Sequence, residues 1–580
     1  MPGIFGLVTA AHRVQAQREL DRMREVLCQG SLDATATWSD ESLGVYVGWF
    51  ARGTAPATAT MREEGRDVVV IFSGEDFSEP GSAGCSVGDP AFPAGLNGRF
   101  HGLVVDRRHR AATLFNDRYG LHRLYYHQSR DGFAFATQAK AILALRPELK
   151  HIDMRGLGEL VSCGSVLENR TLFSGIDVLP AASRWLLRDG AVARRDTYFR
   201  PQEWEAQSLL DPESYYRELR QILLHKLPRY LGECGQVGMS LTGGLDTRMI
   251  MAGSKPAAGA LPCHTFGGIS CDSRDVRRAR EVAHACGQPH QIIRVDDELL
   301  RRFRSYAERT VYLTDGSADV GRAPDLYLNE AVRQIAPVRL TGNHGSEVLR
   351  RVTHKPPKVA PAPFCAELVS SMRDAEHRYA ALRKPHPLSF VVFQQIPWHY
   401  QGLLALEETQ VTMRSPFLDN DLVRTAFRAP PSAHGDAIYW RFIGELNPAL
   451  RSIASDRGAG GYGWRGAMSR LLGEVEIKAE YLCDYGMPHW AAPIDRALGR
   501  LSPARFVLGR HKFSHFRSWY RGVLADYVRE VLLDPATLRR PFFQRHAVET
   551  VVRDHLDGHR NYTVEIHKLL TIELIHRLLV

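Results

Sequence analysis

The spacing of apolar residues changes near residue 200 of the chain. Before that point, short apolar runs separated by turn residues predict β-strands over residues 68–72, 102–106, 112–115 and 133–136. Short strands at such even spacing are typical of antiparallel, layered domains. This pattern therefore predicts a β-rich first domain over residues 1–200.

Beyond a charged stretch between Pro201 and Pro212, predicted as a linker, strands and helices alternate. Apolar strands and amphipathic helices are predicted in turn over residues 236–241, 248–252, 262–266, 275–286 and 338–341. Such alternation indicates a parallel sheet with crossover helices, and from about residue 450 onward the chain reads as mostly helical. The predicted fold class is thus a two-domain α/β protein, with the second domain over residues 210–580.

Composition and charge favour a globular protein with anionic substrates over a membrane-spanning or nucleic-acid-binding protein. The 580 residues are 44% hydrophobic and 24% charged, which is typical of a soluble globular protein. The net charge of +9 suits anionic substrates such as nucleotides, and a nucleic-acid partner is less favoured. Nine cysteines without a CxxC pair predict reduced thiols and a cytoplasmic location. No long apolar run or basic leader is present, so neither a membrane span nor a signal peptide is predicted.

A glycine turn between the first strand and the first helix of the second domain is the most informative segment. Glycines there allow backbone N–H groups to approach an anion, and the helix N-terminus adds a favourable dipole. Asp246 is suited to hold Mg²⁺ on phosphate oxygens, and the absence of Gly-Lys-Ser/Thr excludes a Walker A loop. The predicted nucleotide-binding residues are Ser240, Leu241, Thr242, Gly243, Gly244, Leu245, Asp246 and Thr247, with Phe266 and Gly342.

This loop resembles the Ser-Gly-Gly-x-Asp-Ser loop of the ATP pyrophosphatases, and further segments resemble the glutamine-dependent asparagine synthetases in the same order. Those segments are residues 2–6, 116–126, 135–140, 171–180, 341–347 and 414–419. The resemblance implies an N-terminal nucleophile hydrolase-like αββα sandwich of the glutamine amidotransferase type, followed by an adenine-nucleotide α-hydrolase-like synthetase domain. It also implies ATP and Mg²⁺ as cofactors.

The first domain departs from the family where glutamine would be hydrolysed. Pro2 stands where the family has its cysteine nucleophile, and Asn97 replaces the acid that binds the glutamine amine. The family's Asn-Gly-Glu is Ser73-Gly74-Glu75 here, and its Arg-Gly-Pro-Asp segment has no counterpart near residues 28–37. The sequence therefore predicts a degenerate amidotransferase domain without glutaminase activity.

The second domain also departs from the family. The resemblance places Ser346 at a metal-binding Asp, which leaves Glu347 as the second predicted Mg²⁺ ligand beside Asp246. Asn343 takes the position of a Glu that the family uses in acyl transfer, and an asparagine is no general base. Arg457, in a glycine-rich loop, is the predicted replacement for the family's catalytic lysine, with Lys512 as the alternative.

These residues predict an ATP-dependent, AMP-forming carbon–nitrogen ligase. It would adenylate a small-molecule or peptide carboxylate and transfer it to ammonia or an amine. Intramolecular cyclisation of the β-lactam synthetase or lasso-peptide cyclase type is an alternative, as is a less favoured tRNA-modifying ATP pyrophosphatase. A homodimer is compatible with the sequence.

Overall fold

The computed structural model describes residues 3–28, 34–51, 59–232, 236–269, 271–356, 358–455, 464–501 and 504–580. Its first part is built from twelve strands: β1 (Gly3–Thr9), β2 (Ala34–Asp40), β3 (Val45–Ala51), β4 (Ala59–Glu64), β5 (Val68–Asp76), β6 (Gly98–Asp106), β7 (Ala111–Asn116), β8 (Tyr125–Gln128), β9 (Gly132–Ala136), β10 (Asp177–Val178), β11 (Ser183–Arg188) and β12 (Ala191–Thr197).

These strands form two six-stranded antiparallel sheets, ordered β10-β8-β9-β1-β3-β2 and β12-β11-β7-β6-β5-β4. Alternate residues point to opposite faces of a strand, so Ile4 and Val8 of β1 meet Ile71 and Leu103 of the second sheet in a shared core. The predicted strands within residues 68–136 all lie inside observed ones.

The helices and their bounds are α1 (Arg13–Leu27), α2 (Ala139–Leu145), α3 (Met154–Cys163), α4 (Gln202–Glu205), α5 (Pro212–Leu231), α6 (Leu245–Ser254), α7 (Arg274–Ala285), α8 (Asp297–Arg301), α9 (Phe303–Leu313), α10 (Ala323–Val332), α11 (Gly345–Leu349), α12 (Ala366–Leu382), α13 (Pro387–Phe390), α14 (Ile396–His399), α15 (Gln401–Glu407), α16 (Asn420–Phe427), α17 (Ala437–Leu446), α18 (Pro448–Ser452), α19 (Trp464–Cys483), α20 (Ala491–Leu498), α21 (Ala504–Val507), α22 (Phe516–Arg521), α23 (Ala525–Leu532), α24 (Arg545–Leu556) and α25 (Thr563–Leu579). None of them, in the part of the chain described, is both long and apolar enough to cross a lipid bilayer.

One layer of the predicted αββα sandwich differs from expectation. Helix α1 covers the outer face of the first sheet, where Leu20 packs with Phe5. The outer face of the second sheet is instead covered by a turn-rich segment between β5 and β6, through Phe92 and Leu96. Repeated glycines and prolines in that segment disfavour a helix, so the expected second helical layer is wrong.

The second part of the chain holds a five-stranded parallel sheet. Its strands are β13 (Val237–Ser240), β14 (Cys263–Gly267), β15 (His290–Arg294), β16 (Val338–Leu340) and β17 (Thr412–Arg414), ordered β15-β14-β13-β16-β17. The strand and helix positions agree with the predicted alternation to within a few residues. The predicted linker is itself packed, because Trp204 of α4 contacts the rings of Phe199 and Phe393.

The two parts of the chain meet in an extensive interface. Helix α3 packs against α12 so closely that a Cβ at Gly158 would lie 2.7 Å from Ser371. A largely buried ion pair joins Glu75, in β5, to Arg414, in β17, at 2.6 Å. The side chain of Arg414 is 9% exposed and that of Glu75 is 17% exposed, so little solvent screens the pair.

We therefore expect Glu75→Gln to lower the free energy of unfolding by about 3 kcal/mol, because it leaves the Arg414 guanidinium buried without its counter-charge. The measurement is the shift of the first urea-induced transition. The matched control is Glu168→Gln, which breaks the more exposed pair with Arg378 and is expected to cost less than about 1 kcal/mol. Equal shifts for the two variants would contradict this prediction.

Candidate functional site

The predicted nucleotide loop joins the end of β13 to the start of α6. Gly244 is the N-cap of α6 and no side chain caps the helix, so its first-turn N–H groups face outward from the sheet edge. The loop is braced from within, because the Thr242 and Thr247 hydroxyls lie 3.1 Å apart. A helix N-terminus at the carboxyl end of a parallel strand is the usual place for an anionic ligand in this class of sheet.

A cavity of about 1110 Å³ opens over this loop. That volume is large enough for a nucleotide together with a second substrate. Of the predicted binding residues, seven line it: Ser240, Leu241, Thr242, Gly244, Leu245, Asp246 and Phe266. Gly243 and Thr247 support the loop from behind, and Gly342 packs so tightly that a Cβ there would lie 2.8 Å from the Thr247 nitrogen.

Asp275 also belongs to the loop, which the sequence analysis did not predict. Its carboxylate accepts a hydrogen bond of 2.6 Å from the Gly243 N–H, and its side chain lines the cavity. The N-cap of α7 is Ser273, whose hydroxyl accepts from the Val276 N–H. Asp275 therefore lies in the first turn of α7 and is not its N-cap.

The Asp246 carboxylate is held by three donors. One oxygen accepts a hydrogen bond of 2.6 Å from the Tyr439 hydroxyl, and the other accepts from the Ser346 hydroxyl at 2.8 Å and from the Arg350 guanidinium at 3.2 Å. Burial, followed by the Asp246 charge, raises the pKa of Tyr439 well above its ordinary value, so the phenol stays a donor. A Cβ at Gly345 would lie 2.3 Å from Asp246, so only glycine fits there.

The predicted magnesium ligands are not arranged around one open position. Glu347 accepts a hydrogen bond of 2.6 Å from the Tyr400 hydroxyl and is absent from the described residues that line the cavity. Burial raises the pKa of Glu347, and Asp246 already binds a guanidinium. Across the described ranges no group of three or more His, Cys, Asp or Glu side chains is placed to hold a metal ion. The residues present therefore do not fit a metal held between Asp246 and Glu347.

Asn343 lies away from the cavity, in the interface between the two parts of the chain. Its carbonyl accepts a hydrogen bond of 2.5 Å from the Ser415 hydroxyl, and it lines a separate space of only about 30 Å³. A direct part in chemistry over the nucleotide loop is thus not supported by its position.

The two predicted basic residues have different outcomes. Arg457 lies outside the described residues. Lys512 lines the cavity, and its ammonium lies 4.9 Å from the centre of the Tyr485 ring, a cation–π distance. The buried Glu480 carboxylate accepts the backbone N–H groups of Gly509, His511 and Lys512, which fixes the loop that carries this lysine.

The far end of the cavity is lined by charged residues that no motif revealed. Arg322 is 49% exposed toward the cavity and lies 3.6 Å from Asp325. Lys568 lies 3.7 Å from Asp319. Arg322 and Asp325 are three residues apart, whereas Lys568, in α25, and Asp319 are distant in sequence, so only the fold brings that second pair together.

The residues that resemble a glutamine pocket are committed to other contacts. Asn97 is buried, donates to the Asp419 carboxylate at 2.7 Å, and accepts from the Asn420 N–H at 2.9 Å. Arg99 pairs with Glu408 at 2.6 Å. Together with Glu75, these side chains bind the second part of the chain, while Pro2 lies outside the described residues.

Comparison with known proteins finds similarity to an amidotransferase domain and to asparagine synthetases over part of the chain. A sequence model described as a glutamine amidotransferase domain matches residues 83–199. Glutamine-hydrolyzing asparagine synthetase 3 of Bacillus subtilis (strain 168) is 29% identical over 180 residues, which are 30% of this chain and 28% of the relative. Glutamine-hydrolyzing asparagine synthetase 1 of the same organism is 23% identical over 192 residues, 33% of this chain and 30% of the relative. The aligned region thus spans less than a third of either relative.

Among solved structures, the glutamine phosphoribosylpyrophosphate amidotransferase from B. subtilis, complexed with ADP and GMP, aligns with 50% of this chain and 65% of its own. The identity is 10% and the TM-score is 0.22, which is too low to indicate a shared fold.

The buried Arg248 supplies a test of how the site is held together. Its guanidinium donates to the carbonyls of Gly243, Leu450, Ile453 and Ala454, and so ties the nucleotide loop to the end of α18. We expect Arg248→Met to speed amide hydrogen exchange across residues 448–455 at least about tenfold, since several buried carbonyls lose their donor. Arg441→Met, which removes an exposed guanidinium on α17, is the control. Unchanged exchange in the Arg248 variant would contradict the bracing role.

Proposed function

We propose that this chain, which is similar to a glutamine amidotransferase domain over residues 83–199 and to asparagine synthetases over 30% to 33% of its length, is an ATP-dependent ligase that activates a substrate carboxylate and joins it to ammonia or an amine. In this proposal, residues 210–580 form the synthetase domain and residues 1–200 form a degenerate amidotransferase domain of the N-terminal nucleophile hydrolase type. The stacked antiparallel sheets support the assignment of residues 1–200 as the amidotransferase-like domain. The parallel sheet with its strand, glycine turn and helix supports the assignment of residues 210–580 as the synthetase domain.

One observation carries the proposal. The cavity combines an uncapped helix N-terminus at the carboxyl edge of a parallel sheet with basic side chains from three separate segments, Arg322, Arg350 and Lys512. Such a set is suited to a polyanion, and the apolar Leu241 and Phe266 provide surfaces against which a base can pack. The residues present therefore fit ATP as a substrate.

The proposed reaction has two steps. An oxygen of the substrate carboxylate attacks the α-phosphorus of ATP, and the bond between that phosphorus and the oxygen bridging to the β-phosphate breaks. Pyrophosphate departs, and an acyl-adenylate is formed. A nitrogen nucleophile then attacks the acyl carbon, loses one proton, and displaces AMP. The first turn of α6 would bind phosphate oxygens, and Lys512 would stabilise the charge that develops at the phosphorus.

The volume left beside a bound nucleotide is the proposed site of the carboxylate. Arg322 and Lys568 line this part of the cavity and would attract the carboxylate. Asp325 and Asp319 hold the side chains of Arg322 and Lys568 in place through ion pairs. The nitrogen source in this proposal is ammonia, a second substrate's amine, or an amine of the same substrate.

The proposal excludes glutamine as a nitrogen donor. Pro2 stands at the position that the resemblance assigns to the cysteine nucleophile, and proline has no thiol. The neighbouring polar side chains that would bind glutamine are held by Asp419, Asn420 and Arg414. The first domain then serves as a structural support of the second.

We expect the purified protein to exchange labelled pyrophosphate into ATP only when a suitable carboxylic acid is supplied from a panel of acids. Lys512→Met should reduce this exchange by about 10²-fold, the usual effect of losing one electrostatic contact in a transition state. Lys478→Met is the matched control, because Lys478 is an exposed lysine on α19 outside the cavity lining. The assignment would be contradicted by pyrophosphate exchange that does not depend on the acid, or by an exchange rate in the Lys512 variant within a few-fold of the wild-type rate.

We also expect no glutamate above background when the protein is incubated with glutamine, with or without ATP. Pro2→Cys should not restore activity, because Asn97 stays bound to Asp419 and Asn420. Glutamate is quantified against a parallel reaction with ammonium chloride and the active acid. Enzymatic glutamate release by either protein would refute the degenerate-domain assignment.

A further inference from the structure

Arg350 places a fixed positive charge beside the nucleotide loop. Its guanidinium is 14% exposed and lines the cavity immediately after α11. It donates to Asp246 at 3.2 Å, to Asp436 at 2.8 Å, and to the Ser346 hydroxyl, and it lies 5.0 Å from the centre of the Tyr439 ring. Two cavity-lining carboxylates thus converge on one guanidinium.

This arrangement occupies the position that a divalent cation would need. A metal bound to Asp246 would lie next to Arg350, and like charges at such a distance repel. The nearest side chain on the same turn is the neutral Ser346, which donates its proton to Asp246 and leaves no second carboxylate there. Glu347 faces Tyr400 instead.

The remaining donors of Arg350 are suited to phosphate. Three of its five N–H groups bind Asp246, Ser346 and Asp436, and the Nε–H is buried, which leaves the second N–H group of the nitrogen bonded to Asp436 for a ligand in the cavity that Arg350 lines. Arginine binds phosphate oxygens strongly and cannot lose its proton at neutral pH. Because Asp246 lies in the first turn of α6, the guanidinium is held next to the phosphate-binding N–H groups.

We propose that Arg350 takes the place of a carboxylate-bound metal ion at the pyrophosphate end of this site, so that the nucleotide is bound without a divalent cation bridging it to Asp246. The inference rests on the proposed nucleotide-binding function. Asp246 acts in it as a positioning residue, which holds the guanidinium rather than a metal.

The test is the affinity of the non-cleavable analogue α,β-methylene-ATP, measured by calorimetry with excess Mg²⁺ and, separately, with EDTA. The expected result for the wild-type protein is a difference of less than about fivefold between the two conditions. Arg350→Met should weaken binding about 10²-fold in EDTA and recover part of it with Mg²⁺. The double variant Ser346→Asp/Arg350→Met, which restores two carboxylates, should bind the analogue only with Mg²⁺.

Two controls keep the outcome clear. Arg350→Lys keeps the charge and should retain binding in EDTA to within about tenfold, which separates loss of charge from loss of fold. Arg441→Met removes an arginine from α17 outside the cavity and should change nothing. If wild-type binding falls more than about 10²-fold in EDTA, Arg350 does not replace a metal and the nucleotide function still stands. If the analogue binds in neither condition, the proposed function itself is wrong.

Discussion

The arrangement of the second domain depends on the largely buried carboxylate of Asp246. A carboxylate at the start of a helix is favoured by the helix dipole, but when removed from water it also needs hydrogen-bond donors. Those donors come from Ser346 and Arg350, around α11, and from Tyr439 in α17. One charge therefore connects three helices that are distant in sequence, and the floor of the cavity is the surface that they share. A side chain at position 345 would collide with Asp246, which explains why that position is a glycine.

The amidotransferase-like first domain also contributes charged and polar contacts on which the second part of the chain depends. The edge of its second sheet contributes Glu75, Asn97 and Arg99, each bonded to a residue of the second part of the chain. Burial raises the pKa of Asp419, the partner of Asn97, and the charge of Lys226 opposes the shift, so this contact is electrostatically coupled to α5 as well. Removing the first domain would leave several of these polar groups without their partners and expose the apolar surface around them to water. The side chains at the positions that resemble a glutamine pocket are therefore contacts of an interface in this structure.

Sequence patterns predicted the parts of the molecule that depend on local order. Apolar periodicity predicted the strands of both sheet types, and the glycine turn predicted the position of Asp246 over a cavity. Sequence patterns did not predict contacts between residues that are distant along the chain. Asp246 and Tyr439 are 193 positions apart, and no motif identifies Arg350 as a partner of Asp246. The prediction of Asp246 and Glu347 as a metal-binding pair is likewise not supported by the contacts, since only the fold shows that Glu347 accepts a hydrogen bond from Tyr400. The sequence analysis expected a second helical layer from the resemblance, whereas in the described part of the chain a turn-rich segment with repeated glycines and prolines covers β5 and β6.

A cation that belongs to the chain differs physically from one that is bound from solution. Arg350 is oriented by two carboxylates before any ligand arrives, so binding a phosphate costs little reorganisation, which is the condition under which fixed charges act most strongly. The two carboxylates also offset part of the charge of the guanidinium, so it attracts phosphate less strongly than a divalent ion does. Its attraction for phosphate, however, does not depend on the metal concentration. The helix N-terminus and Lys512 add further positive potential from the other sides of the cavity. In the proposed site, a positive charge fixed by the fold would take the role that a metal ion bound from solution has elsewhere.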